Sequence, residues 1–243
     1  MNIEGTVALV TGANRGIGEA FVDALLARGA LKVYAAARNP QSVASTDPRV
    51  AAVALDVTDH AQVVALAGQA ADVQLVINNA GISGAGTPLS ADLDVARAEL
   101  EVNYLGLAAV TQAFAPVLAA NGGGAYVNIL SVASWVGNPP LGTYSASKAA
   151  AWNFTNAARI ELKGQGTRVV GVHVGYVDTD LTAGLDAPKI ARAEVAAAAL
   201  DALAAGAPEA LVDDISKYVK ANLSDDHAQI YPALEQQFAA SQS

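Results

Sequence analysis

Two residues in this sequence stand at a spacing that suits proton transfer, Tyr144 and Lys148. On a helix, residues four apart share a face, so the Lys148 ammonium can lie beside the Tyr144 phenol. A phenol ordinarily titrates near ~10 and keeps its proton at neutral pH. Adjacent positive charge lowers that value. A tyrosine so placed can trade a proton with a carbonyl or alcohol oxygen. Tyr104, Tyr126, Tyr176, Tyr218 and Tyr231 have neither Lys nor Arg four residues on. Tyr34 has Arg38 there, but in a strand-like run, where four residues span about 13 Å.

A second cluster suits an anion. The segment Thr11-Gly12-Ala13-Asn14-Arg15-Gly16-Ile17-Gly18 follows an apolar run and opens a helical pattern. Glycine admits positive φ and lets backbone N–H groups at a helix N-terminus approach a pyrophosphate.

These residues need a scaffold, and apolar periodicity supplies one. Strand-length runs lie at Thr6 to Val10, Leu31 to Ala37, Val50 to Leu55, Leu75 to Ile77, Ala125 to Leu130, Arg168 to Val174 and Ala210 to Val212. Helical patterns alternate with them, among them Gly16 to Arg28, Asp59 to Gln69, Tyr144 to Lys163 and Ala191 to Ala204. A longer one, Asp92 to Ala120, is expected to break near Gly106. Strands this continuously apolar are buried on both faces. The expectation is an α/β fold: a Rossmann-like, doubly wound parallel sheet with helices on both faces, in a single domain over 1–243.

In this setting several motifs occur together and in order. The T-G-x-x-x-G-I-G turn, Asn78-Asn79-Ala80-Gly81 after the fourth strand, Asp56-Val57 after the third, and Tyr144-x-x-x-Lys148 resemble the short-chain dehydrogenase/reductase family over about Thr6 to Leu181. The resemblance implies a nicotinamide cofactor held by Gly12, Asn14, Arg15, Gly16, Ile17, Gly18, Asp56, Val57, Asn79, Ala80, Gly81, Tyr144 and Lys148. It implies a catalytic tetrad of Asn103, Ser131, Tyr144 and Lys148. Ser131, thirteen positions before Tyr144, has the family's usual spacing; Ser134 and Ser147 do not. Its hydroxyl would share charge developing on the substrate oxygen. Asn103 would hold a water leading from Lys148 to solvent. The segment from His173 to Leu181 is similar to the family's P-G-x-V-x-T, so Val177 and Thr179 would contact the carboxamide. Val174 stands where proline is usual, which puts the rigidity of that loop in question.

Where NAD-binding relatives carry an acid after the second strand, this chain has Ala37 and then Arg38. A missing carboxylate and a guanidinium favour a 2′-phosphate, hence NADP(H), with Arg15 as a second cation. The loops after the fifth and sixth strands offer Trp135, Val136, Pro139, Leu141, Leu181 and Leu185. With Ser131 and Tyr144 these would bind an apolar or aromatic ketone or aldehyde.

Bulk properties exclude other classes. The 243 residues are 53% hydrophobic and 15% charged, with a net charge of -9, which argues against nucleic acid. There is no Cys, so thiolate chemistry and Cys-ligated zinc are out. His60, His173 and His227 have no ligand spacing, and no metal is expected. The uncharged stretch Val102 to Ser147 is broken by Asn103, Pro116, Asn121, Asn128 and Pro139, and reads as buried core rather than membrane. No signal-like segment opens the chain, so the cytoplasm is the expected compartment.

The helical segments Leu107 to Ala120 and Ala149 to Ile160 carry Arg159 as their only charge. Apolar faces on both sides point to a homodimer or homotetramer. The alternative is a monomer whose tail from Asp213 covers them. The expected function is NADPH-dependent carbonyl reduction. The same residues run in reverse would serve a physiological alcohol dehydrogenase, and a non-catalytic NADP sensor would more commonly lack the Tyr-Lys pair.

Overall fold

The computed structural model describes residues 1–84 and 86–241. Seven strands form one sheet: β1 (Val7–Thr11), β2 (Lys32–Ala37), β3 (Val50–Ala54), β4 (Leu75–Asn78), β5 (Gly124–Ile129), β6 (Thr167–His173) and β7 (Glu209–Leu211). The order is β3-β2-β1-β4-β5-β6-β7, and each neighbouring pair is parallel. The helices are α1 (Gly16–Ala27), α2 (His60–Gln69), α3 (Leu93–Leu100), α4 (Leu107–Ala120), α5 (Gly142–Glu161), α6 (Arg192–Ala205), α7 (Asp214–Ala221), α8 (Asp226–Gln229) and α9 (Tyr231–Ser241). The doubly wound parallel sheet expected from the sequence is the sheet observed.

Residue parity along each strand sorts the core. In β1, Ala8 and Val10 join Phe21 and Leu25 of α1 and Leu200 and Leu203 of α6. Val7 and Leu9 turn the other way, to Val63 and Leu66 of α2 and Val110, Phe114 and Leu118 of α4. Successive strand side chains point to opposite faces, so both faces are paved. Each such Leu or Phe contributes about 1.5–3 kcal/mol by leaving water.

The strand order turns back between β1 and β4, which opens a crevice beyond their C-terminal ends. Every motif singled out above for cofactor or catalysis follows a strand on that edge or opens the next helix.

The long helical stretch does not break at Gly106. It runs from Leu93 to Ala120 through a π-helical turn, Glu101–Gly106. It is long and apolar enough to cross a membrane, yet its buried side packs on α2, β4, β5 and α5 of this fold. Gly106 instead permits close approach, since a Cβ there would lie 2.7 Å from Val57 Cγ2. Across the sheet, Asn78 Nδ2 donates to Asn128 Oδ1 (2.9 Å), and Asn128 Nδ2 donates to Thr155 Oγ1 of α5 (2.9 Å). That buried ladder ties α5 to the sheet below the site.

The tail after Asp213 forms α7, α8 and α9. Val219, Ile230 and Leu234 of this segment pack on Val132, Trp135 and Val136, which follow β5. The tail thus covers a loop beside the crevice rather than α4 and α5.

Candidate active site

β5 delivers Ser131 to the crevice, and the backbone there is fixed locally. Ser131 caps a short 3-10 turn: its Oγ accepts from Ala133 N (3.1 Å), while Ser134 Oγ accepts from Ser131 N (3.2 Å). The Ser131 hydroxyl in turn donates to Val174 O (3.4 Å). Ser134 is therefore a scaffold for Ser131. Ser147 is another: it accepts from Asn103 Nδ2 (2.9 Å) and donates to Tyr144 O (2.7 Å).

Tyr144 and Lys148 lie in the first two turns of α5, with Lys148 Nζ 5.8 Å from the Tyr144 ring centre. The ammonium is 5% exposed and donates to Ile129 O (2.9 Å). The helical pairing is as expected, but its electrostatics differ. Burial pushes the Tyr144 phenol up to about 12; the Ser131 hydroxyl opposes this and the Glu99 carboxylate adds to it. Burial also brings Lys148 down to about 8. In the protein alone, desolvation outweighs the lowering of Tyr144 expected from its lysine.

Asn103 sits in the π-helical turn, which aims its side chain at the loop that follows β4. Its Oδ1 accepts from Ile82 N (2.8 Å) and its Nδ2 donates to Ile82 O (2.9 Å). A Cβ on Gly81 would lie 3.2 Å from Asn103 Oδ1 and 3.6 Å from Lys148 Nζ. Glycine at 81 therefore keeps the ground between the Asn103 amide oxygen and the Lys148 ammonium free of a side chain. One turn earlier, fully buried Glu99 accepts from Gly84 N (2.7 Å) through Oε1, while Oε2 has no hydrogen-bond partner among the described residues. Glu99 was not singled out from the sequence; its place four residues before Asn103 was the available signal.

The glycine turn fits a dinucleotide pyrophosphate. Gly12 and Gly16 have φ of 63° and 58°. No side chain caps α1, whose first N–H groups face the turn. Asn79 Nδ2 donates to Thr11 O (2.9 Å) and Gly12 O (3.1 Å), and Ala80 N donates to Thr11 Oγ1 (3.0 Å), so the β4 motif braces the β1 motif. At Gly18 an added Cβ would lie 2.1 Å from Gly12 O, a backbone atom that cannot step aside. Gly18→Ala is expected to weaken dinucleotide binding at least about tenfold and to destabilise the fold by about 1–3 kcal/mol. Fluorescence titration and thermal denaturation measure both, and unchanged values in the two would show that the turn relaxes freely.

Thr179 lies over this turn, its Cγ2 3.4 Å from where a Gly16 Cβ would stand. Val177 pairs with Ile190 in an isolated bridge. Val174 does not leave its loop slack: Val174 O accepts from Val132 N (3.0 Å), and Gly175 N donates to Asp213 Oδ2 (2.6 Å).

The cations part company. Arg38 is exposed at the end of β2, where its charge lowers the Asp56 pKa in addition to bonds from Thr58. Arg15 reaches across to Asp180 (2.9 Å), with both side chains largely in solvent. It clasps the loop after β6, so the structure gives it a partner other than the 2′-phosphate proposed from sequence.

The expected substrate residues also divide. Leu141 precedes α5 and bridges to Gly86, beside the site. Leu181 and Leu185 are 54% and 44% exposed on the loop after β6. Trp135 stacks on His173, with ring centres 3.8 Å apart, and Val136 is buried beneath Val219 and Ile230. Those two are packing residues here, because the tail, unread in the sequence, covers them.

Comparison with known proteins agrees with this geometry. The short chain dehydrogenase family model matches residues 6–189. The chain is similar to a cis-4-hydroxycyclohexanecarboxylate dehydrogenase from Sinomonas cyclohexanicum, with 38% identity over 79% of this chain and 80% of the relative. It is similar to a 3-oxoacyl-[acyl-carrier-protein] reductase from Synechocystis, with 35% identity over 76% of this chain and 79% of the relative. A crystal structure of a short chain dehydrogenase from Burkholderia cenocepacia in complex with NADP superposes with a TM-score of 0.92 at 42% identity, covering 96% of this chain and 99% of that one. The chain belongs to the short-chain dehydrogenase/reductase family and is an oxidoreductase acting on CH–OH or C=O groups with a nicotinamide cofactor.

Proposed function

We propose that this enzyme reduces ketones or aldehydes with NADPH, reversibly. The observation that carries the reading is the placing of Tyr144 and Lys148 on one face of α5, with Lys148 Nζ 5.8 Å from the phenol ring centre. A resting phenol is ready to give a proton, as reduction requires. The bound cofactor supplies a hydride to the carbonyl carbon. The chain does the rest. Ser131 donates a hydrogen bond to the carbonyl oxygen. Tyr144 transfers its proton to that oxygen as the C=O bond becomes an alcohol. Lys148 stabilises the phenolate left behind and binds the ribose. Asn103 and the open ground at Gly81 lead a replacement proton toward Lys148. Gly12 through Gly18, Asp56, Val57, Asn79 to Gly81, Val177 and Thr179 hold the dinucleotide.

For the substrate, Leu141, Leu181 and Leu185 favour an apolar or aromatic group beside the carbonyl. Two relatives named for a cyclic alcohol acid and a 3-oxoacyl chain act at secondary carbinol or ketone centres. Their carboxylate or carrier contacts would need cations that these loop positions lack. A panel of cyclohexanone, acetophenone and benzaldehyde, with NADPH oxidation followed by absorbance, tests the reading. Turnover of none of them, with NADPH bound, rejects it.

The NADP preference rests on Ala37 and Arg38. A charge-assisted contact of about 1.5–3 kcal/mol corresponds to roughly ten- to hundredfold selectivity. Arg38→Asp is expected to erase or reverse it in kcat/KM. Equal or better kcat/KM with NADH in the wild-type enzyme would refute the assignment.

A homodimer or homotetramer pairing α4 and α5 completes the proposal. Ile160 is 78% exposed on α5, and Leu105, just before α4, is 44% exposed. The tail packs elsewhere, which weighs against a monomer shielded by it. Light scattering behind size exclusion should give a multiple of the 24.5 kDa chain mass at micromolar concentration, and Phe154→Glu should reduce it to one chain. A wild-type mass of one chain rejects the oligomer.

A further inference from the structure

His173 ends β6 with 0% exposure, and neither its burial nor its surroundings are needed for the chemistry described above. Its Nδ1 lies 3.2 Å from Ser131 O. A carbonyl oxygen only accepts, so Nδ1 carries the proton and the ring donates. That oxygen also accepts from Ser134 N (3.0 Å). The next residue, Val174, offers its carbonyl to the Ser131 hydroxyl. Ser131 is thus gripped at its peptide by the His173 ring and at its hydroxyl by the adjoining backbone.

The ring is itself held. Trp135 stacks on it, with an interplanar angle of 19°. Glu209 lies on β7 opposite Gly171, and the missing side chain at Gly171 lets the Glu209 carboxylate come alongside His173, two residues on and on the same face. Glu209 Oε1 stands 3.6 Å from His173 Nε2, and Glu209 Oε2 pairs with Lys220 Nζ of α7 (2.7 Å). Lys220 Nζ also lies 4.9 Å from the Trp135 ring centre. Burial lowers the His173 pKa, against the opposing effect of Glu209 and Ser131 O, in keeping with a neutral ring whose Nε2 has no hydrogen-bond partner among the described residues. Arg159 is the remaining charge nearby, occupied with Val169 O, Pro208 O and Asn156.

We propose that His173 is a positioning residue: its Nδ1–H holds the Ser131 carbonyl and thereby sets where the Ser131 hydroxyl points, while the stacked Trp135 ring, with Lys220 Nζ 4.9 Å from its centre, keeps the imidazole in place. The tail is then part of the catalytic apparatus, since α7 supplies the lysine. The inference rests on Ser131 acting as the reductase reading assigns it.

Two measurements test it. In protein labelled with 15N-histidine, which has only His60, His173 and His227 to assign, one ring should show a slowly exchanging Nδ1–H that does not titrate from pH 6 to 8. An Nε2–H tautomer at His173 overturns the proposal whatever the activity. The second is a double-mutant cycle, using NADPH and whichever of the three panel carbonyls the wild-type enzyme reduces fastest. His173→Leu should lower kcat about tenfold in the wild-type background and less than about twofold in Ser131→Ala, with NADPH affinity unchanged in both. His173→Asn, which places an amide N–H at the Nδ1 position, should restore most of the loss. An additive cycle, or His173→Asn no better than His173→Leu, overturns the positioning role alone. Should His173→Leu fail to fold, Trp135→Leu, which removes the ring stacked on His173, carries the same cycle with the same non-additivity expected. A wild-type enzyme inactive on the whole panel, or an active one indifferent to Ser131→Ala, rejects the reading beneath it instead.

Discussion

Tyr144→Phe is expected to lower kcat for carbonyl reduction by about a thousandfold and to leave the NADPH Kd within about twofold of wild type. The variant keeps the ring, its packing and the α5 helix, and loses one oxygen. That oxygen is the proton donor proposed for the reaction, held as a phenol near 12 by burial. Cofactor contacts lie chiefly on the glycine turn and the β4 motif, which the phenyl ring does not disturb. Steady-state kinetics and a fluorescence titration decide it. Retention of a tenth of the wild-type kcat would assign the proton to another group.

Lys148→Met is expected to abolish turnover and yet to stabilise the ligand-free protein at neutral pH. The lysine is 5% exposed and its pKa falls from 10.5 to about 8. Between those values the unfolded chain binds a proton that the folded chain does not, so wild-type stability rises with pH across that window. Below pH 8 the folded state carries the full cost of a buried ammonium, roughly 3 kcal/mol. Methionine removes that cost but leaves Ile129 O without its donor, which returns about 1–2 kcal/mol. A net gain of about 1–2 kcal/mol at pH 7 is the expected result, shrinking toward zero or below as pH approaches the unfolded value. Thermal denaturation at pH 7 and pH 9.5 checks the sign. A variant less stable than wild type at pH 7 would mean that the lysine is not strained in its site.

Much of this was legible in the residues. Thr6 to Val10, Leu31 to Ala37 and Ala125 to Leu130 read as buried strands because parallel strands paved on both faces leave no polar alternation to misread. The Tyr144–Lys148 pair, Ser131 and the glycine turn were legible because their spacing is local. What escaped depends on contacts between distant residues. Arg15 meets Asp180, 165 positions away, and nothing in either neighbourhood announces the other. Trp135 and Val136 read as a substrate wall until Val219 of α7, Ile230, and Leu234 of α9 are seen packed on them. His173 reads as an ordinary strand residue until the β6–β7 register brings Glu209 beside it. The pKa of Tyr144 ran opposite to the sequence expectation for the same reason: charge four residues away is visible in a helix, whereas desolvation by the whole surrounding structure is not.

The strand order also dictates how the chain assembles. Once β4 and the two residues after it have been synthesised, at residue 80, β1 has both of its neighbours and the phosphate-binding turn has its brace. From then on β5, β6 and β7 add to the growing edge in the order in which they leave the ribosome. No strand has to be inserted between two others after that point. Until β5 arrives, however, β4 presents an open edge, apolar but for Asn78, for the time needed to translate 46 further residues. At about 5–20 residues per second this is several seconds of exposure to edge-to-edge pairing with another nascent chain. The amphipathic stretch that covers the adjoining face, α3 through α4, is synthesised within that interval. A destabilising change in it should therefore lower the yield of correctly folded protein more than it lowers the stability of what does fold.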